Sequence, residues 1–287
     1  MAEISAKAVK SLREQTGAGM MDCKRALTEA DGNIERAVEV LRERGLAKAG
    51  KREGRATTEG AIAIALRGSA GGMVEVGCET DFVARTDDFT QLVESLARAT
   101  ADDASITGTA ALLDASIEGE KVAERLTAAI SRLGENVVVK RVARLSVDGA
   151  GVAGGYVHAG GKLGVLVGLA GSQVDEALAK DVAMHVAAAD PTPVAVSREG
   201  VPADLLEKER EIYRNQALQE GKPEKVIDRI VDGKLQKFVS EICLVDQPFV
   251  KDPDRTVGDL LAASGDATVT GFERFKLGQV DEEASAG

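Results

Sequence analysis

Tryptophan is absent from the 287-residue chain, and aromatic residues make up only 3% of it. Binding sites for single-stranded nucleic acid depend on stacked aromatic rings, so this class of function fits poorly. Cysteine is also scarce, because Cys23, Cys78 and Cys243 lie far apart and form no CxxC pair. This spacing indicates reduced thiols in the core of a cytoplasmic protein rather than a disulfide framework.

Long apolar runs and targeting segments are missing as well. The longest apolar stretch, at 163–171, is far shorter than the roughly 20 residues that span a bilayer. The chain enters an amphipathic pattern at once, without the basic, apolar and small-residue segments of a signal peptide and without an Arg-rich transit sequence. We therefore expect no membrane contact and a cytoplasmic location.

Positive charge is in deficit and unevenly distributed. The 36 Lys and Arg against 47 Asp and Glu give a net charge of −11. An acidic protein of this kind is not expected to bind nucleic acid directly, since phosphates need clustered cations. The stretch 36–55 is locally basic. It allows two interpretations, a solvated helix face leading into a flexible linker or a contact with RNA or the ribosome.

Hydrophobic periodicity predicts three helices within residues 1–55, a small domain that ends in the basic linker. The first helix follows an N-cap at Ser5, the second starts at Met20, and the third runs from an Asn33 cap to a left-handed C-cap at Gly45. Three helices of this length form a minimal core, so we expect them to dock on a neighbour.

From residue 60 the period changes to that of β-strands. A β-β-α-α-β pattern, with its helices at about 86–101 and 109–133, is followed by a second copy. This order predicts an α+β fold with two related antiparallel-sheet subdomains, at 56–150 and 151–278. The second holds a helical hairpin at about 197–240, and a short acidic tail at 279–287 ends the chain.

The sequence contains no complete motif of a known type of catalytic site. Cys78, His158 and Asp81 could form a thiol-hydrolase triad, because such partners need not be close in sequence. However, no nucleophile elbow or local cysteine-hydrolase signature accompanies them. No His, Cys and carboxylate cluster has metal-ligand spacing, and no complete phosphate loop is present. We therefore expect no cofactor and no metal, and the thiol hydrolase remains an alternative.

One junction between a strand and a helix stands out. Thr80, Asp81, Phe82 and Val83 occupy it, and phenylalanine is rare, with six in the chain. One interpretation is that Phe82 covers the local core. The other is an apolar wedge beside an acidic anchor, as in a protein interface.

Motifs in a fixed order resemble the bacterial elongation factor Ts family. They lie at 9–24, 80–83, 134–136, 247–250 and 269–272. The resemblance implies a ubiquitin-associated-like three-helix domain, two related core subdomains and the helical hairpin. It also implies a guanine-nucleotide exchange factor for elongation factor Tu in translation elongation, which binds the GDP-loaded and nucleotide-free GTPase and is not an enzyme.

The resemblance also gives roles to residues. In the family, the Phe of the Thr-Asp-Phe-Val motif wedges into the GTPase and disturbs the network that holds its Mg²⁺. Phe82 would be this wedge, Asp81 its polar anchor, and Thr80 and Val83 the residues that set the turn. Weaker partner contacts would come from Met20, Met21, Gly134, Glu135, Asn136 and His158.

The helical hairpin mediates self-association in some family members and can also meet the partner. A different class of function, a nucleotide-independent adaptor or chaperone of a cytosolic partner, is suggested by the small helical domain and the charged hairpin.

Overall fold

The computed structural model describes residues 4–265 and 267–279, except for the side chain of Lys48. Apart from Gln279, the acidic tail predicted at 279–287 lies outside the described residues. Within those ranges, none of the helices combines the length and the apolar character needed to cross a bilayer. The fold is α+β, as predicted.

Three helices open the chain and share one small core. They are α1 (Ala6–Thr16), α2 (Met20–Glu29) and α3 (Ile34–Gly50). The Ser5 cap is confirmed, since its hydroxyl accepts a hydrogen bond from the Ala8 N–H at 3.1 Å. The buried side chains of this core are those of Val9, Leu12, Cys23, Ala26, Leu27, Ala30, Ala37 and Val40.

The first sheet follows, with its helices between the second and third strands. Its elements in chain order are β1 (Glu59–Arg67), β2 (Ala70–Cys78), α4 (Asp81–Ala84), α5 (Asp87–Asp102), α6 (Thr109–Asp114), β3 (Ser116–Ile117), β4 (Glu120–Lys121), α7 (Val122–Leu133) and β5 (Val137–Ser146). The sheet is antiparallel in the order β1-β2-β5. Its outer face packs against α5 and α7 through a core centred on Val74, Val76 and Leu96.

The second sheet repeats this arrangement. Its elements are β6 (Gly151–Val157), β7 (Leu163–Ala170), α8 (Glu176–Ala188), α9 (Ala203–Gln219), α10 (Glu224–Ile242), β8 (Pro248–Phe249), β9 (Asp252–Thr256), α11 (Val257–Ala262) and β10 (Thr268–Lys276). The strand order is β6-β7-β10, so the third strand pairs with the second in both sheets. This common order agrees with the predicted repeat, and the domain boundaries stay predictions.

The inner faces of the two sheets pack on each other. Ile62, Met73 and Leu166 are buried between them. A buried ion pair joins Glu75 of β2 to Arg141 of β5 at 2.5 Å. The guanidinium of Arg141 also donates to the carbonyl of Lys276 in β10 at 2.9 Å, which ties the first sheet to the second.

Two predicted helix boundaries are wrong. The third helix does not stop at Gly45 but continues to Gly50, and turns replace the flexible linker predicted after it. Gly45 is instead buried where α3 meets α7, and a Cβ atom there would lie 3.7 Å from the Cβ of Ser131. The helix predicted at 109–133 is split into α6 and α7 by the β3–β4 hairpin, whose turn holds Glu118 at a φ of 54°.

The helical hairpin is present as α9 and α10. Ala217, Ile227 and Val231 fill its seam, and ion pairs such as Arg214–Asp228, at 2.7 Å, bridge its two helices. The elements β8, β9 and α11 were not predicted from the sequence.

Candidate protein-interaction site

The most exposed large hydrophobic side chain in the described residues belongs to Phe82, with 82% of its surface accessible. It lies in α4, a single helical turn that follows the end of β2. Val83 and Ala84, on the same turn, are partly buried against the core of the first sheet. The turn therefore anchors itself through those two residues and presents Phe82 to solvent, which excludes its role as a cover of the local core.

The acidic neighbour of Phe82 is held within the same turn. The Asp81 carboxylate lies 3.0 Å from the guanidinium of Arg85, one turn further along. The Asp81 side chain is 43% accessible and the Arg85 side chain 79%. An ion pair this exposed contributes at most about 1 kcal/mol, so a partner can compete for the carboxylate at low cost.

Thr80 starts the turn as its N-cap. Its hydroxyl oxygen accepts a hydrogen bond from the Val83 N–H at 3.3 Å. The same hydroxyl donates to Oε1 of Glu135 at 2.6 Å. The second carboxylate oxygen, Oε2, accepts from the backbone N–H groups of Glu79 at 3.0 Å and Thr80 at 2.9 Å. Glu135 thus binds three donors of the strand end that leads into α4.

A reciprocal contact runs back from Glu79. Its Oε1 accepts from the Asn136 N–H at 2.7 Å, and the buried Asn136 side chain donates to the Arg55 carbonyl at 3.0 Å. The Arg55 guanidinium lies 3.5 Å from the Glu79 carboxylate. The structure therefore brings the predicted motifs at 80–83 and 134–136 together, with the segment that follows α3 tied to both.

Sequence reasoning missed Glu79 and Arg55 as members of this site. The signal available was a pair of glutamates flanking two strands, Glu79 after β2 and Glu135 before β5. Carboxylates at the ends of neighbouring strands can cap each other's exposed backbone N–H groups, but strand order must be known first.

The predicted methionines lie on the surface of the three-helix unit. Met20 and Met21 form the first turn of α2 and are 60% and 63% accessible. The loop before them approaches α7, because a Cβ at Gly17 would lie 3.2 Å from the Arg132 side chain of that helix. Arg132 in turn pairs with Asp88 at 3.1 Å, in the first turn of α5.

His158 is exposed in the loop between β6 and β7, where the Tyr156 hydroxyl lies 2.9 Å from its Nδ1. The Gly161 carbonyl accepts from the Ile62 N–H at 2.8 Å, which fixes this loop to the edge of β1. A groove of about 440 Å³ along that edge is lined by both Ala84 of α4 and Gly161. The Phe82 turn and the His158 loop therefore flank one groove.

The thiol-hydrolase alternative is not supported by the geometry. Cys78 is fully buried, and its Sγ donates to the Thr80 carbonyl at 3.2 Å. Burial, with the nearby Glu135 charge as a second cause, raises the pKa of the Cys78 thiol to about 11. Such a thiol is protonated near neutral pH and is a poor nucleophile. The other two candidates, His158 and Asp81, are engaged by Tyr156 and Arg85 instead.

Among the residues that the structure describes, no three His, Cys, Asp or Glu side chains are grouped so that they could hold an ion. The features of this surface are an exposed ring, an adjacent carboxylate and a rigid support, which suit contact with another protein.

Comparison with known proteins identifies relatives along nearly the whole chain. A family profile described as "Elongation factor TS" matches residues 79–279. A protein named elongation factor Ts from Clostridium botulinum (strain Alaska E43 / Type E3) is 47% identical, over 96% of this chain and 93% of that protein. Its namesake from Chlorobium phaeobacteroides (strain BS1) is 45% identical, over 97% of this chain and 100% of that protein. The chain belongs to the elongation factor Ts family.

Proposed function

We propose that this chain is a guanine-nucleotide exchange factor for elongation factor Tu in translation elongation. It binds the GDP-loaded GTPase in the cytoplasm, promotes GDP release and holds the nucleotide-free form until GTP enters. It makes and breaks no covalent bond. The observation that carries the proposal, beside the family membership, is the 82% exposure of Phe82 on a turn whose other apolar side chains are anchored.

Phe82 acts as a wedge. A phenylalanine side chain that moves from water into an apolar site gains about 1.5–3 kcal/mol, and this gain is available to displace side chains of the partner. The partner's Mg²⁺ requires near-ideal octahedral geometry, so a small displacement of its ligands weakens its binding strongly. The phosphates of GDP then lose their counter-charge and dissociate more easily.

The neighbours of Phe82 orient the wedge. Asp81 offers a carboxylate to polar groups of the partner, in exchange for its exposed pair with Arg85. Thr80 and Val83 fix the turn, one as the N-cap and the other by packing on the core. Exposed Met20, Met21 and His158 extend the contact surface, and Gly134 lies at the exposed end of α7.

The free-energy coupling in this mechanism is reciprocal. If the exchange factor weakens GDP binding by a given factor, GDP weakens binding of the exchange factor by the same factor. Because the chain is recovered unchanged after each exchange, it leaves the final ratio of bound GDP to bound GTP unchanged.

The hairpin of α9 and α10 is a second proposed contact surface, for self-association or for the partner. Leu218 and Ile212 lie on it and are 51% and 38% accessible.

Stopped-flow release of a fluorescent GDP analogue from elongation factor Tu tests the function directly. We expect the chain to accelerate release at low molar ratio and at saturating unlabelled GDP. The acceleration should be smaller when EDTA has already removed the Mg²⁺. Tight binding of the chain with an unchanged release rate would contradict the proposal and favour a nucleotide-independent adaptor.

A further inference from the structure

We propose that Glu135 is a positioning residue for Phe82, which acts by fixing the turn that presents the ring and not by touching the partner. This inference rests on the proposed exchange function and adds to it a residue outside the Thr-Asp-Phe-Val motif.

The helix that carries Phe82 is too short to be stable on its own. It has four residues, Asp81–Ala84, and an isolated helical turn is unstable because nucleation fixes several dihedral angles for one hydrogen bond. With 82% of its surface in solvent, Phe82 gains little support from its own packing. The direction of the ring therefore depends on the packing of Val83 and Ala84 and on how the N-terminal end of the turn is attached.

At the N-terminal end, the Glu135 carboxylate binds three donors that lead into the turn. Oε2 binds the N–H groups of Glu79 and Thr80, at 3.0 and 2.9 Å, and Oε1 binds the Thr80 hydroxyl at 2.6 Å. A hydroxyl has one proton and two lone pairs. The Thr80 hydroxyl donates its hydrogen to Glu135, so a lone pair of the same oxygen points at the Val83 N–H. The N-cap requires this acceptor.

Glu135 is itself rigidly placed. The preceding helix, α7, ends at Gly134 in the left-handed conformation, at a φ of 82°. The following residue, Asn136, is buried and bonded to Glu79 and Arg55. The carboxylate thus fixes the turn in place relative to α7 and β5. Since both of its oxygens are occupied within the chain, Glu135 is poorly suited to direct partner contact.

A double-mutant cycle tests whether Glu135 acts through Phe82. We expect Glu135→Ala to lower the limiting rate of stimulated GDP release about tenfold, with a smaller change in the half-saturating concentration. In a Phe82→Ala background the same substitution should have little further effect, since coupled residues are non-additive. Glu118→Ala, which removes an 83% accessible carboxylate of the β3–β4 turn, is the matched control and should behave as wild type. Independent, multiplicative effects of Glu135→Ala and Phe82→Ala would overturn the proposal.

Hydrogen exchange provides a readout that does not depend on the partner. The amides of Glu79, Thr80 and Val83 should lose protection in Glu135→Ala, while amides in the middle of β2 keep theirs. Glu135→Gln retains a carbonyl oxygen for the backbone donors and should recover most of both the protection and the limiting rate. If Glu135→Ala does not unfold cooperatively, Glu135→Asp takes its place, because the shorter side chain draws the carboxylate away from the three donors, and the same losses of rate and protection are expected.

These measurements separate the two proposals. If wild-type chain does not stimulate GDP release, the exchange function fails, and amide protection alone decides whether Glu135 holds the turn. If wild type is active and Glu135→Ala leaves both the rate and the protection unchanged, the positioning role fails and the exchange function stands.

Discussion

The buried side chain of His185 joins α8 to the segment that holds Gln247 and Val250 by hydrogen bonds. His185 of α8 is 1% accessible, and its Nδ1 accepts a hydrogen bond from the Val250 N–H at 3.2 Å. Its Nε2 lies 3.0 Å from Oε1 of Gln247. The Gln247 amide donates to the Pro191 and Glu241 carbonyls, which leaves its oxygen facing the ring. This arrangement requires a neutral imidazole with its proton on Nε2.

The stability of the protein should therefore depend on pH between 5.5 and 7.5. Burial lowers the pKa of His185 below its ordinary value, and the hydrogen bond to Gln247 opposes this only in part. The unfolded chain, with a histidine pKa of roughly 6.5, therefore binds this proton at a higher pH than the folded chain does. The free energy of unfolding should fall as the pH drops through that value, by at most about 1.4 kcal/mol per pH unit.

Urea titrations of wild type and His185→Gln at pH 7.5, 6.5 and 5.5, values that bracket the ordinary histidine pKa of roughly 6.5, measure this slope. The variant loses packing and is less stable at every pH, but its pH dependence in this window should be flatter. Equal slopes in the two proteins would rule out His185 as the source.

The sequence alone predicts the functional role of some single residues and not of others. Phe82 could be singled out because a rare aromatic residue stood in a family motif, whereas its exposure needed coordinates. Glu135 was assigned only as a weak partner contact. Its three internal hydrogen bonds exist because β5 lies beside β2, and residues 55 positions apart become neighbours only through that pairing.

Secondary-structure elements were predicted well where a period was long and unbroken. The hairpin strands β1 and β2 and the helices α5 and α10 follow clear periods. Gly45 misled the prediction of α3, because a buried glycine in a helix can serve close packing instead of termination. The β3–β4 turn inside 109–133 was missed because two residues per strand are too few to show a period.

Two glycines allow a prediction about how elements pack. A Cβ at Gly72 of β2 would lie 2.5 Å from the backbone nitrogen of Ala101 and 2.7 Å from the carbonyl oxygen of Ala97, both in α5. Gly72→Ala should therefore lower the free energy of unfolding by roughly 3 kcal/mol, the upper end of overpacking effects. Urea denaturation followed by circular dichroism measures it.

Gly233 is the matched counterpart. It lies exposed within α10, and a Cβ there would meet no atom within 4 Å. Gly233→Ala should raise the free energy of unfolding by roughly 0.5–1 kcal/mol, because glycine carries more backbone entropy in the unfolded chain. A loss of stability in Gly233→Ala, or a neutral Gly72→Ala, would contradict the packing described for these helices.

At the scale of the whole molecule, two cations of the basic stretch at 36–55 contact the helix that covers the first sheet. Arg42 pairs with Glu124 of α7, and Arg52 donates to the Ile130 carbonyl at 3.2 Å. These cations attach the three-helix unit to the first sheet, which favours an intramolecular role for them over contact with RNA. The sequence could show that charge was concentrated here, but not which acidic residues would face it.

The wedge role of Phe82 is tested most directly by the limiting rate of GDP release from elongation factor Tu in the presence of Phe82→Ala. Because the ring is exposed, the variant should fold as stably as wild type, yet it should slow stimulated release about tenfold, equivalent to roughly 1.4 kcal/mol of transition-state stabilisation. Val194→Ala, which trims another exposed apolar side chain, should leave the rate unchanged. A folded Phe82→Ala protein that stimulates release as fast as wild type would contradict the wedge mechanism.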